Sequence, residues 1–120
     1  GSEKLFRFED LELWQRAADV SFALDELADR FEEQRRYRHA EQLRCAGLSI
    51  SNNIAEGSGS KSSNEFRNFL NIAHRSAFEC ASMLLVFKRK QMMSADVVSP
   101  LLVELNEVCR MLTGLSRSLN

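Results

Sequence analysis

The chain has 120 residues, 44% of them hydrophobic, and its 16 Lys and Arg against 17 Asp and Glu leave a formal net charge of -1. That length suits one domain, burying roughly two thirds of its unfolded surface, and near neutrality argues against a uniformly basic nucleic-acid binder. The longest apolar run, Met83 to Phe87, falls far short of the ~20 residues a membrane span needs, so a water-soluble protein with no membrane partner is expected.

Gly1 and Ser2 read as the remnant of a cleaved tag, which leaves residues 3–120 as the domain. Pro100 is the sole proline and the glycines stand only at Gly1, Gly47, Gly57, Gly59 and Gly114, so helix is the default throughout. In the first segment Asp10 is the expected N-cap. Leu13, Ala17, Val20, Leu24, Leu27 and Phe31 then follow at steps of three and four and form one apolar stripe. Trp14, Ala18 and Phe22 fall beside or off it. The polar run "EEQRRYRH" connects to a second helix from about Tyr37 to Glu56, whose inner face carries Leu43, Ala46 or Gly47, Ile50 and Ile54, with Gly57 as its left-handed terminator.

After the loop "SGSKS", Ser62 and Glu65 have the spacing of a capping box. The third helix then carries Phe66, Phe69 or Leu70, Ala73, Ala77, Cys80, Leu84 and Phe87 in one seam and ends on Lys88, Arg89 and Lys90, where the helix dipole favours cations. The fourth places Val98, Leu101, Leu105, Val108, Leu112, Leu115 and Leu119 at steps of three and four. Either Ser99 caps it, with Pro100 as its first residue, or Ser94 does, with a kink near Pro100. No strand alternation occurs. The expected fold is all-α, an antiparallel up-down-up-down four-helix bundle.

Such a bundle needs one apolar stripe per helix, and this chain has more. Ile72, Phe78, Met83, Leu85 and Val86 lie off the third seam, and Leu102, Val103 and Met111 flank the fourth. Exposed together they exceed the apolar patch of an ordinary monomer, which points to a homo-oligomer with these residues in its interface.

Cys45, Cys80 and Cys109 are odd in number and set among apolar residues, as expected of reduced core thiols in the cytoplasm. No HExxH, paired CxxC or GxSxG motif is present, and the residues three before His39 and His74 are Arg36 and Asn71 rather than the glutamates of a di-iron bundle. We therefore expect no enzyme activity and no cofactor.

Charge is unevenly spread. Residues 1–34 hold four Lys and Arg against ten Asp and Glu, whereas residues 61–90 hold six against two, a polarity that serves self-association as readily as an external partner. Arg35, Arg36, Arg38, Lys61, Arg75, Lys88, Arg89 and Lys90 are the candidate contacts to an anion or to the phosphates of RNA or DNA, with a plain solvated face as their simpler role. In "GSGSKSS" the phosphate-loop spacing is missing, so a capped turn is the expectation there. Folding the second helix back on the third pairs Arg44 with Glu79 and Glu56 with Arg67, while Asn52 and Asn53 supply hydrogen bonds near the helix end. This makes the motif a structural one.

Three stretches carry a resemblance: "FEDLELWQRA", "QLRCAGLSISNNIAEG" and "EFRNFLNIAHRSAFE". With "LNEVCRMLTGLSRSL" following more loosely, they resemble the four-helix bundle proteins encoded within intervening sequences of bacterial 23S ribosomal RNA genes. The resemblance implies a small cytosolic bacterial protein that assembles with itself, as a homopentameric ring, and it supplies no catalytic residue. Accessory proteins of diversity-generating retroelements, which work with a reverse transcriptase and nucleic acid, are similar in fold but more basic. The expectations are thus a ring with basic patches for nucleic acid, or alternatively a structural or protein-interaction module.

Overall fold

The computed structural model describes residues 4–120, so the tag reading of Gly1 and Ser2 lies outside the described residues. A 3-10 turn at Arg7–Asp10 leads into four helices: α1 (Glu12–Glu33), α2 (Tyr37–Ser58), α3 (Ser63–Arg89) and α4 (Ala95–Ser118). Among the described residues there is no strand. Each helix packs on its neighbour in the chain and α1 closes onto α4, so the short connections at 34–36, 59–62 and 90–94 reverse the chain three times. The molecule measures 44 × 31 × 23 Å, and the long axis matches the roughly 40 Å expected of the longest helix at about 1.5 Å per residue.

All six stripe residues of α1 are buried. So are Leu43, Ala46, Ile50 and Ile54 of α2, and Leu70, Ala73, Ala77, Cys80, Leu84 and Phe87 of α3. In α4 Val98, Leu105, Val108 and Leu112 are buried, with Leu101, Leu115 and Leu119 packed partly against them. Spacing decided these positions because each helix must turn one face inward to remove it from water.

The helix ends follow the sequence less closely. Asp10 belongs to the 3-10 turn and pairs with Lys4 at 2.9 Å; Leu11 occupies the N-cap of α1, without a side-chain bond. Glu9 caps the preceding 3-10 turn, its Oε2 accepting from the backbone N–H of Leu5 (3.0 Å) and Phe6 (2.8 Å). At α3 the Ser62 hydroxyl accepts from the Glu65 N–H at 3.1 Å, the N-cap half of the expected box. At α4 Ser94 holds the N-cap position with no side-chain bond, and Pro100 lies inside the helix. The Ser99 alternative is therefore set aside.

Gly57 does not terminate α2. The helix runs on to Ser58, and among the described residues no glycine has a positive φ. Gly57 is needed for space: a Cβ there would stand 2.8 Å from Phe66 Cδ1 and 2.8 Å from Phe69 Cβ, so the missing side chain is what lets α3 approach α2. Gly47 plays a milder version of this part, with Leu24 Cδ1 of α1 at 3.1 Å from a built Cβ.

Left-handed backbone appears elsewhere, at Arg35 (φ 63°) and Gln91 (φ 61°). Both close a helix in the same way. Arg35 N–H donates to Glu32 O and Arg36 N–H to Phe31 O, at 2.9 and 2.7 Å; Gln91 N–H donates to Lys88 O and Met92 N–H to Phe87 O, at 2.9 Å each. These are the paired bonds of a Schellman turn, made here with a large residue where glycine is usual.

Candidate functional site

The two Schellman turns lie at one end of the bundle. His39 at the start of α2 stacks on Phe87 near the end of α3, with centroids 5.2 Å apart, and Phe31 of α1 meets Phe87 edge-on at 5.1 Å. This aromatic cluster ties the α1–α2 turn to the C-terminus of α3. Of the eight candidate cations, six are thereby gathered: Arg35, Arg36 and Arg38 beside the first turn, and Lys88, Arg89 and Lys90 beside the second. All six are exposed, and among the described residues none has a carboxylate within 4 Å. Arg75 is exposed midway along α3, and Lys61 lies at the opposite end.

Lys61 borders a cleft of about 270 Å³ with Arg7, Ser58, Ser60, Ser62 and Ser63. The Arg7 guanidinium donates to Ser58 O at 2.8 Å and thereby fastens the N-terminal turn to the end of α2. Two serines of this loop are spent on the chain itself, since Ser58 Oγ donates to Ala55 O at 2.7 Å and Ser62 caps α3, whereas Ser60 Oγ is buried without a hydrogen-bond partner among the described residues.

The pairings expected across the α2–α3 hairpin are not those formed. Arg44 turns away from Glu79 to α1, where its guanidinium meets Asp25 (2.8 Å), Asp29 (2.6 Å) and Glu32. Hydrogen bonds to these carboxylates, Glu32 first, push its pKa above the ordinary arginine value. Arg67 donates to Asn64 Oδ1 at 3.0 Å and to Leu119 O at 2.7 Å, so it secures the chain's last turn rather than Glu56. The reason is that α2 offers its two flanks to different helices. A one-dimensional register between α2 and α3 cannot show that three acids of α1 lie nearer to Arg44.

What does link α2 to α3 is hydroxyl chemistry. Ser49 Oγ and Ser76 Oγ are 2.7 Å apart, and Asn53 Nδ2 donates to Ser49 O (2.7 Å) and Ser49 Oγ (3.1 Å). Asn52, by contrast, is exposed. The i to i+4 spacing of Ser49 and Asn53 was the available signal for this ladder.

The surplus apolar residues divide. Ile72, Phe78, Leu85, Val86 and Val103 are exposed, Phe78 at 62% and Val103 at 70%, whereas Met83, Leu102 and Met111 are partly buried against the core. The latter three widen the core stripe, because a helix packed on two sides covers more than one row of its surface. Sequence periodicity also passed over Phe22 (71% exposed) and Leu48 (51%) on the α1–α2 side.

Among the thiols only Cys80 is fully buried, and its burial pushes the pKa up to about 12. Cys109 is half-buried and shifted upward for the same reason. Cys45 is exposed, which corrects its assignment to the core. Its Sγ lies 3.4 Å from Glu41 Oε1, and that hydrogen bond raises its pKa. Among the described residues no group of three or more His, Cys, Asp or Glu is placed to hold a metal ion, and no helix is long and apolar enough to cross a membrane.

The fold and this site define a four-helix bundle with one cationic end and apolar side faces. The model of the family described as "23S rRNA-intervening sequence protein" matches residues 9–114, and the chain belongs to that family. It is similar to a solved structure from Bacteroides thetaiotaomicron, a protein with unknown function from the S23 ribosomal protein family. The identity is 21%, the match covers 88% of this chain and 99% of that one, and the TM-score is 0.83. At that identity the likeness concerns the fold. Among curated proteins, none matches the sequence.

Proposed function

We propose that this chain is a non-enzymatic, self-assembling bundle whose cationic end binds the phosphate backbone of a nucleic acid. The observation that carries this reading is the convergence of Arg35, Arg36, Arg38, Lys88, Arg89 and Lys90 at one end without a carboxylate partner among the described residues. Surface cations placed only for solubility are normally interspersed with acids. Glu32, Glu33 and Glu41 flank the first turn, but the six cations outnumber them, and a local excess of one sign attracts polyanions even on a neutral molecule.

Self-association supplies the affinity that one such end lacks. The exposed Ile72, Phe78, Leu85, Val86 and Val103 favour burial against further copies, and the homopentameric ring the family resemblance implies would set five cationic ends on a common rim if the bundles stand side by side. Linked weak sites bind jointly far more tightly than singly. The three unbridged thiols suit a reducing compartment, the cytoplasm.

The test is a gel-shift titration against structured RNA and duplex DNA over a range of salt. Binding with a steep inverse salt dependence is expected, and replacing Lys88, Arg89 and Lys90 by Gln should flatten the slope by about three counterions. Absence of binding at low salt would remove this reading. A second reading, a structural or protein-interaction module, is favoured by the same exposed apolar side chains, and nuclease treatment before pull-down separates the two.

A further inference from the structure

Gly114 stands near the end of α4, a position where glycine costs about 1 kcal/mol relative to alanine. Nothing in the chain's own packing requires it: a Cβ built there meets no atom within 4 Å. This sets it apart from Gly47 and Gly57, each of which admits a neighbouring helix. Gly114 borders a cleft of about 400 Å³ between α3 and α4 that adjoins a second of about 290 Å³, the two sharing His74, Thr113 and Arg117. The combined trough is lined by Arg67, Arg110 and Arg117 and by no carboxylate; Arg110 also reaches Glu107 on its own helix at 3.6 Å, and Arg67 is held by Asn64 and Leu119. Phe78, stacked on His74 at 4.9 Å, forms part of its wall.

A complementary shape exists on the same molecule. Phe22 projects from the outer side of α1, and Asp19 and Glu26 stand three residues before and four after it, on one helical face. Among the described residues neither acid has an ion-pair partner, whereas Asp25 and Asp29 are already held by Arg44. Within one chain the trough and this face cannot meet, because α1 packs on α2 and α4 and its outer side turns away from α3.

We propose that the α3–α4 trough receives α1 of a second copy, with Phe22 seated over Gly114 and Asp19 and Glu26 against Arg110 and Arg117. The inference rests on the self-association proposed above and names its surface. Because donor and acceptor faces differ, the contact is heterologous: each copy that receives an α1 offers its own to the next, which produces a closed ring or an open filament rather than a two-fold dimer. Glycine at 114 then has a purpose, since a backbone without Cβ lets an aromatic ring of another chain approach the helix closely.

Light scattering after size exclusion and sedimentation velocity, paired with thermal melts, test this. Gly114→Leu is expected to abolish assembly while leaving the helical signal intact and the subunit's melting temperature unlowered, since the new side chain meets open space and leucine is the better helix former. Charge reversal on either face alone, R110E/R117E or D19R/E26R, is expected to weaken assembly at least about tenfold, and combining the reversals to restore it. Assembly by the wild type that survives all these variants would overturn the trough as the interface but leave self-association standing. Disruption without rescue by the combined reversal would overturn the Phe22 face as occupant. A wild type that stays monomeric at every concentration would overturn the self-association reading and this inference together.

Discussion

The two hairpins of the bundle, α1–α2 and α3–α4, use the same kind of turn and finish their surfaces differently. On the first, the Arg44 guanidinium meets three carboxylates of α1 and Gly47 lets the helices close on each other. Both seams carry clefts, but the one of about 290 Å³ on the first is lined by Arg44 and Asp25, already paired to each other, whereas on the second no ion pair joins α3 to α4 among the described residues and Gly114 faces open space. The contrast shows where the chain satisfies itself and where it is left incomplete. A seam closed by its own charges and packing contributes to folding, while an open seam bordered by aromatic and cationic side chains is available to something else.

The strongest way to break this comparison is to truncate one residue on each side. Leu24→Ala, in the closed seam and fully buried, is expected to cost about 2–5 kcal/mol in denaturant melts. Phe78→Ala on the open side, 62% exposed, should change the stability of the isolated subunit by no more than about 0.5 kcal/mol. A comparable loss at Phe78 in the monomer would mean that the second hairpin is already complete. Next in size is Gly57→Ala, expected to destabilise by about 1–3 kcal/mol through overpacking. Phe66 can tilt its ring, but Phe69 Cβ at 2.8 Å is anchored to the backbone and cannot.

These positions also mark what the sequence reveals. Helical spacing was enough to name the core of all four helices, because burial depends on periodicity that every residue reports locally. Arg44 and Arg67 were legible as charged residues within a motif but not in their partners, which come from α1 and from the chain's last residues; partner choice depends on how helices are arranged around the axis. The gathering of Arg35, Arg36 and Arg38 with Lys88, Arg89 and Lys90 required two turns to be placed at one end, although each run was visible on its own. Gly57 was singled out for its conformation, yet it is explained by a close approach that only the neighbouring helix discloses.

The two Schellman turns offer a smaller and more selective comparison. Arg35 and Gln91 both hold left-handed backbone, which costs a non-glycine residue roughly 1 kcal/mol. Replacing either by glycine should therefore raise stability by up to about that amount in a thermal melt, less a little for the greater freedom of glycine in the unfolded chain. The functional outcomes should diverge. Arg35→Gly removes one of the six clustered cations and is expected to weaken nucleic-acid binding as its stability rises, while Gln91→Gly leaves affinity unchanged. Equal affinities for the two variants would mean that Arg35 tolerates its backbone without serving the cationic end.

The smallest effect is expected where the two hairpins meet. Arg16 of α1 binds Glu104 of α4 through Nε at 2.8 Å and Nη2 at 3.0 Å, and this hydrogen bonding holds the Glu104 carboxyl below the usual carboxylate range. A depressed folded-state pKa means that the unfolded chain takes up the proton first as pH falls. The stability from this pair is therefore fully present above the unfolded value of about 4.3 and is lost as pH drops through the lower folded value. Glu104→Gln should leave a chain whose stability is slightly reduced at neutral pH and declines less steeply below about pH 4.3. The two side chains are 32% and 33% exposed, so added salt should shrink the difference between wild type and variant. Parallel acid titration curves for the two proteins would show instead that packing of α1 on α4, rather than this ion pair, closes the bundle.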